Sequence, residues 1–305
     1  MRYLDLMGGQ KPHLLVKSVN NLGAETYVQY APSTKFYLAD KLARKPWITR
    51  LAFPVHVVER VETFDAISQN RFVTRYAYHH GYFDGPEREF RGFGMVEQRD
   101  TEELAALTAG GTLPDAANID KASHVPPVLT CTWSHTGAFL DESRISKQFE
   151  HEYYREDDTS ESLTGLTDEQ LRALLLDDTL LPSTLRLVDG THTPYTLTSQ
   201  EVLEACRALK GAILRQEIYT LDGTDEADRP YSTSERNYTI ELLQPRDGNK
   251  HAVFFTHARE QVDFNYERAL VDVNGQKRAD PRGQAVSLAG ESNDTDRLQP
   301  RPLPA

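Results

Sequence analysis

The chain has only two cysteines in 305 residues, Cys131 and Cys206, far apart and with no CxxC spacing. That arrangement gives no cysteine-built zinc site. Both thiols lie in apolar stretches, where buried free thiols are the expectation and a disulfide the alternative. Long apolar runs are also missing, so no membrane insertion is expected. Met1-Arg2 leads into a mixed segment without the apolar core of a secretory leader. Basic residues are the third shortage: 34 Lys and Arg against 46 Asp and Glu leave a net charge of −12. Such a surface argues against nucleic acid and anionic membranes as partners. No P-loop or GxGxxG is present, and neither Ser134-His135 nor residues 232–234 carry a nucleophile elbow or an oxyanion signature.

Aromatic bulk is plentiful. Fourteen Tyr, 12 Phe and 2 Trp offset a mean hydropathy of −0.57 and supply material for a core. The length allows one large or two modest domains. Residues 71–100 are the most patterned stretch: Phe72, Thr74, Tyr76 and Tyr78 alternate with Val73, Arg75 and Ala77, as in a strand. Gly81-Tyr82-Phe83-Asp84-Gly85 is then expected to reverse the chain, since Gly and Asp accept turn angles. A second strand over 89–99 places Phe90 and Gly92 on one face and Arg91 and Phe93 on the other, ahead of Gly94.

Alternation elsewhere predicts a hairpin of 13–19 with 25–30 across Asn20-Asn21-Leu22-Gly23. Residues 41–50 read as a basic loop anchored by Trp47. Residues 55–63 read as a strand pairing with 71–78. Further strands are expected at 128–134, 212–221, around Tyr238, Ile240 and Leu242, at 252–256, and around Val262, Phe264 and Tyr266. Ile145, Phe149 and Tyr153, four apart, predict a helix over 145–155. Capping boxes at Thr167-Asp168-Glu169-Gln170 and Thr198-Ser199-Gln200-Glu201 start two more, the latter ending near Gly211. The sum is a mainly β chain, an antiparallel β-meander with a small helical insertion at about 142–210. Residues 108–112 and Val125-Pro126-Pro127 read as linkers. Residues 283–305, polar and carrying Pro300, Pro302 and Pro304, read as a disordered tail that leaves the strand at 262–268 with an open edge.

Three clusters are candidate sites. His79 and His80 are adjacent on a strand and point to opposite faces, so turn or core histidines are favoured over metal ligands. Glu150, Glu152, Glu156, Asp157 and Asp158 contain enough carboxylates for a glycosidase pair, but a charge run is usually a solvated face. Phe72, Tyr76, Tyr78, Tyr82, Phe90 and Phe93 form an aromatic ladder that either stacks sugars or packs a sheet, with packing favoured. No catalytic residue, metal or cofactor is assigned.

The unit that combines strand, Tyr82-Phe83-Asp84-Gly85 turn and strand resembles the tyrosine-aspartate repeats of Rhs proteins. With Glu87-Arg88-Glu89-Phe90-Arg91-Gly92-Phe93-Gly94 after it, it is similar to the B component of bacterial insecticidal toxin complexes, the SpvB-like or TcdB-like family. The likeness continues in order through Tyr30-Ala31-Pro32-Ser33-Thr34, Phe53-Pro54-Val55-His56, Thr132-Trp133-Ser134-His135, Glu152-Tyr153-Tyr154-Arg155 and Ser234-Glu235-Arg236-Asn237-Tyr238, over about residues 1–272. The resemblance implies a piece running from a propeller exit (Asp5 to Pro12) and first Rhs-like strands in 1–100, through a linker and insertion in 101–210, to shell meander in 211–272 and a divergent tail in 273–305. It implies a non-enzymatic wall around a toxic polypeptide, secreted as part of a toxin complex. The partners implied are the C component, which completes the shell, and the pore-forming A component, reached through the propeller. Its structural motif is Tyr76, Tyr78, Tyr82, Asp84, Gly85, Phe90, Arg91, Gly92, Phe93 and Gly94. Asp280-Pro281-Arg282-Gly283 resembles the DPxG elements of Rhs cores, as a single copy outside their usual set.

Overall fold

The structure, a computed structural model, describes residues 13–101, 126–154, 176–273 and 276–287. One 12-stranded sheet organises them. Its strands are β1 (Lys17–Val19), β2 (Ala24–Pro32), β3 (His56–Asp65), β4 (Asn70–Asp84), β5 (Glu89–Thr101), β6 (Val128–Ser134), β7 (Thr184–Arg186), β8 (His192–Pro194), β9 (Ile213–Thr220), β10 (Ser232–Gln244), β11 (Val253–Val273) and β12 (Gln276–Ser287). Ten of them follow one path, β1-β2-β3-β4-β5-β6-β9-β10-β11-β12, each antiparallel to its neighbour. The mainly β meander read from alternation is therefore the fold. The path is interrupted once: the chain leaves after Ser134 and returns at Ile213 directly beside β6. Among the described residues the insertion contains β7, β8 and helix α2 (Ser199–Ala208), in keeping with the small helical insertion expected there.

The α2 start is fully written in the sequence. The Thr198 hydroxyl accepts from the Glu201 amide and the Glu201 carboxylate accepts from the Thr198 amide, closing a capping box worth about 1 kcal/mol. Ala205, Cys206 and Leu209 then bury against Ile145 and Ile240. Helix α1 (Ser33–Leu42) was not expected. It has no side-chain cap and buries only Ser33 and Phe36, so no apolar stripe announces it. The helix is held from outside, by the Ser33 amide donating to the Val55 carbonyl and the Val55 amide donating to Ser33 Oγ.

Several expectations are corrected. The reversal is not at Gly81. Strand β4 runs on to Asp84, and the turn is Gly85 to Arg88. Gly81 is needed for packing instead, because a Cβ there would sit 2.8 Å from Trp47 and 3.1 Å from Phe93. The expected helix over 145–155 does not form in its described part, 145–154. Only a 3-10 turn at Glu150–Glu152 forms, although Ile145, Phe149 and Tyr153 are all buried. Burial by irregular chain mimics the helical spacing. Val262, Phe264 and Tyr266 continue β11 and do not form a separate strand. Residues 283–287, read as part of a polar tail, lie in β12, which pairs with β11 along the edge expected to be open and includes Asp280 to Gly283. The capping box at Thr167, the segment Asp5 to Pro12, the linker at 108–112 and residues 288–305 lie outside the described residues.

Register sorts the side chains into two faces. One row runs His79, Met95, Trp133, Arg215, Glu235 and Val262; the next runs Ala77, Glu97, Cys131, Glu217, Thr233 and Phe264. This face is covered. Phe149 and Tyr153 from the insertion pack on Met95, Cys131, Trp133 and Leu214, while α1 and Trp47 lie near Ala77 and Phe93. The rows between them read Tyr76, Gln98, Thr130, Ile218, Ser232, Asn265 and Val96, Thr132, Gln216, Ser234, Asp263. These side chains are mostly small and polar, on a face that is only partly buried.

Candidate functional site

The strand motif and the covered face meet at the β4–β5 hairpin. His80 takes φ of 55° and Gly92 φ of 94°, and the register slips between Tyr82 and Phe83 so that Arg91 is the extra residue. A bulge of this kind re-aims side chains. It brings the Phe90 and Phe93 rings to 5.6 Å, where strict alternation had separated them. Phe93 also meets Tyr78 at 4.9 Å and Trp47 at 6.1 Å. The Tyr78 hydroxyl donates to the Val58 carbonyl, and burial pushes its ionisation up to about 12. Arg91, its side chain fully buried, pairs with Asp84 at 2.8 Å. Asp84 in turn accepts from the Glu87 amide and so shapes the turn that Gly85 begins. Tyr82 lies opposite Gly92. Burial raises its hydroxyl above the ordinary range. Gly94 admits the Phe149 ring: a Cβ there would lie 2.4 Å from Phe149 Cζ and 3.0 Å from His80 Cβ.

The six ladder aromatics do not share a face. Phe93 packs on both Tyr78 and Phe90, Tyr76 stands in an open-face row and Phe72 is exposed. The geometry is that of sheet packing.

The two histidines take separate partners but do not point to opposite faces as expected: the φ of 55° at His80 breaks the strand alternation, and its ring lies 5.0 Å from that of Phe149 on the covered face that His79 also shares. His79 Nδ1 meets Asp40 Oδ2 at 2.6 Å, and the Trp47 indole donates to the same oxygen. His80 accepts from the Ile48 amide through Nδ1 and meets Glu152 Oε1 at 2.7 Å through Nε2. Among the described residues, no group of three or more potential ligands could hold a metal. The other Glu152 oxygen accepts from the Trp133 indole at 2.9 Å. Burial alone would raise the Glu152 carboxyl, but the His80 contact and the Trp133 hydrogen bond hold it below the ordinary range. Both oxygens thus tie the insertion to β4 and β6. Glu150 is buried in the same turn, and Glu156, Asp157 and Asp158 lie outside the described residues.

The strongest electrostatic feature was missed in the sequence. Arg215 is 3% exposed and sits between Glu217 Oε1 at 2.7 Å and Glu235 Oε2 at 3.1 Å. It also lies over the Tyr153 ring at 5.0 Å. Burial disfavours the cation, but the two carboxylates outweigh that and keep Arg215 charged. Burial pushes Glu235 up, against the pull of Arg215. The same carboxylates hold backbone: Glu217 accepts from the Tyr154 amide and Glu235 from the Leu176 amide. Asp178 accepts from the amides of Ile145, Ser146 and Thr179. Each satisfies donors that irregular chain would otherwise bury unpaired. The available signal was opposite charge at alternate positions of one strand, Arg215 and Glu217, which a charged surface strand would also show.

His135 is fully enclosed, with its ionisation lowered to about 4 by burial, and Nδ1 accepts from the Gly137 amide. It anchors a loop, with Gln148 at its other ring nitrogen. Cys131 and Cys206 are free and buried, their thiols pushed up to about 12 by burial.

Comparison with known proteins places this geometry. Residues 4–110 match the insecticide toxin TcdB middle/N-terminal region, and residues 204–279 match the TcdB middle/C-terminal region. No curated protein matches. Among solved structures, the Photorhabdus luminescens Tc holotoxin pore carrying a TccC3 mutation is 31% identical over 84% of this chain and 10% of that one, with a TM-score of 0.61. The TcdB2-TccC3-Cdc42 crystal structure is 28% identical over 81% of this chain and 10% of its own, with a TM-score of 0.60. TcdB2-TccC3 is 29% identical over 83% and 11%, with a TM-score of 0.59. The chain thus spans about a tenth of the length of the structures it matches.

Proposed function

Because the chain belongs to the insecticide toxin TcdB family, we propose that it is a structural segment of a toxin-complex B component, a stretch of β wall that helps enclose a toxic polypeptide. The observation that carries this is the sheet itself. A continuous antiparallel path, sealed on one face by its own insertion and surfaced on the other with small polar side chains, is what a container wall needs. Edge-to-edge pairing leaves few unpaired backbone groups in such a wall. Tyr76, Tyr78, Tyr82, Asp84, Gly85, Phe90, Arg91, Gly92, Phe93 and Gly94 serve as its hairpin frame, with no catalytic role and no cofactor. The partners are a C component of the TccC3 kind, which completes the shell and supplies the cargo, and an A component that forms the pore and meets the propeller of the complete protein. The assembly acts outside the producing cell as a secreted toxin complex.

Co-expression with a TccC3-type partner followed by size exclusion tests the reading. Stable co-elution is expected. A well-folded monomer that ignores the partner sinks it.

A further inference from the structure

The loop that follows α1 is a basic stretch in an acidic chain. Between residues 41 and 50 it carries Lys41, Arg44, Lys45 and Arg50 and no acid. All four residues are exposed. Among the described residues none of their side chains makes an ion pair or a hydrogen bond. The acids of this region are engaged elsewhere: Asp40 accepts from the Trp47 indole and meets His79, and Glu59 pairs with Lys35.

Arg44 is held in this loop against its backbone preference. Helix α1 ends in a Schellman motif: the Lys45 amide donates to the Asp40 carbonyl at 2.9 Å, and the Arg44 amide to the Lys41 carbonyl at 3.2 Å. The motif puts Arg44 at φ of 61°, the left-handed position where glycine is the usual residue. An L-residue is strained there, and glycine would end the helix at lower cost. The chain places an exposed cation at that point instead, and strain of this kind points to function.

The cations stand beside an apolar pocket of about 180 Å³, walled by Tyr37, Trp47, Leu51, Phe53 and Pro54, with Thr34 in its lining. Lys41 is one turn beyond Tyr37 on the same face of α1, and Arg50 adjoins Leu51. Two rings of the wall are braced: Tyr37 meets Trp47 edge-on at 5.3 Å, and Phe53 meets Phe83 at 4.9 Å. Tyr37 and Phe53 are nonetheless exposed. The volume is below that of a site for a drug-sized molecule and suits a single side chain.

We propose that this pocket and its rim dock an acidic polypeptide segment, one bulky apolar residue entering the pocket and flanking carboxylates meeting Lys41, Arg44, Lys45 and Arg50. An apolar anchor inside a charged rim is the common division of labour at a docking site. A neutral sugar leaves the four cations unused. An anionic membrane or a nucleic acid presents an extended charged surface that meets the chain's net charge of −12. A short acidic segment feels chiefly the charges within a Debye length of the patch.

The test is fluorescence polarisation on the full chain, with fluorescein-labelled peptides that place a leucine or a phenylalanine between two runs of Asp and Glu. Binding is expected with a Kd below about 1 mM, weakening as salt rises. Arg44→Gly should weaken it about threefold, the loss of one rim charge, while raising the urea midpoint because the strain is gone. Lys41→Ser with Lys45→Ser should weaken it about tenfold. Thr34→Phe, which lays a ring over the pocket from the exposed side of α1, should remove the preference for an apolar anchor. Equal binding of a peptide with Asn and Gln in place of its acids overturns the proposal, and so does equal binding of an acidic peptide with glycine at its centre. An Arg44→Gly chain that binds like the parent, or that loses stability, overturns it as well. No binding at about 1 mM does the same. Co-sedimentation with phosphatidylserine vesicles in place of peptide binding assigns the patch to a membrane and overturns it too.

Discussion

Gly94→Val is expected to destabilise the chain by about 3 kcal/mol, among the larger costs of overpacking a core. The missing side chain at position 94 is space occupied by Phe149: the Cβ position lies 2.4 Å from Phe149 Cζ, far inside contact distance. Phe149 is fully buried among Met95, Cys131, Trp133, Tyr153 and Leu214 and has no free volume to retreat into. On the other side His80 is held by the Ile48 amide and Glu152. The strand must bend or the insertion must lift. Urea denaturation checks the magnitude, and a double-mutant cycle checks the cause. Gly94→Val with Phe149→Leu should lose less than the sum of the two single changes, by at least about 1 kcal/mol. Strict additivity would mean that Gly94 matters for its backbone and not for the ring it admits.

Arg215→Met should be comparably severe, about 3–5 kcal/mol, the range seen when one partner of a buried ion pair is removed. Methionine keeps the volume but leaves the Glu217 and Glu235 carboxylates facing each other without a cation. The loss should depend on pH. Burial already holds the Glu235 carboxyl above its ordinary value of 4.5. A raised folded value means that this group's contribution is fully present below the unfolded value and declines as pH rises through the folded one. Removing Arg215 raises it further and carries the decline to higher pH. The gap between variant and parent, measured by urea midpoint, should therefore narrow on acidification from neutral pH towards 5. A gap that stays constant on acidification would show that Arg215 acts through packing on Tyr153 alone. Glu217→Gln with Glu235→Gln in the Arg215→Met background should recover much of the loss, because it removes the uncompensated charge.

Alternation carried much of the architecture. The path from β1 to β6, the return at β9 and the α2 cap were legible because strand period and capping chemistry are local. What escaped was set by tertiary contact. Helix α1 lacks an apolar stripe and is held by Val55. The slip at Arg91 goes with left-handed backbone at the neighbouring Gly92, which strict alternation does not anticipate. The regular spacing of Ile145, Phe149 and Tyr153 belongs to a strap whose helical appearance comes from three buried contacts, not from a helix. Among the site residues, the hairpin motif was readable as a string. The ionic cluster was not, because Arg215, Glu217 and Glu235 become neighbours only through the register of β9 and β10.

The measurement that tests the central claim most directly is an electron cryo-microscopy map of the complete protein with its C-type partner. The account predicts β2 to β11 as one stretch of wall, with the insertion and α1 outside and the row of Gln216, Ser234 and Asp263 facing the lumen. A map with that polar row packed against another folded domain, or turned to bulk solvent on the outside, would contradict it.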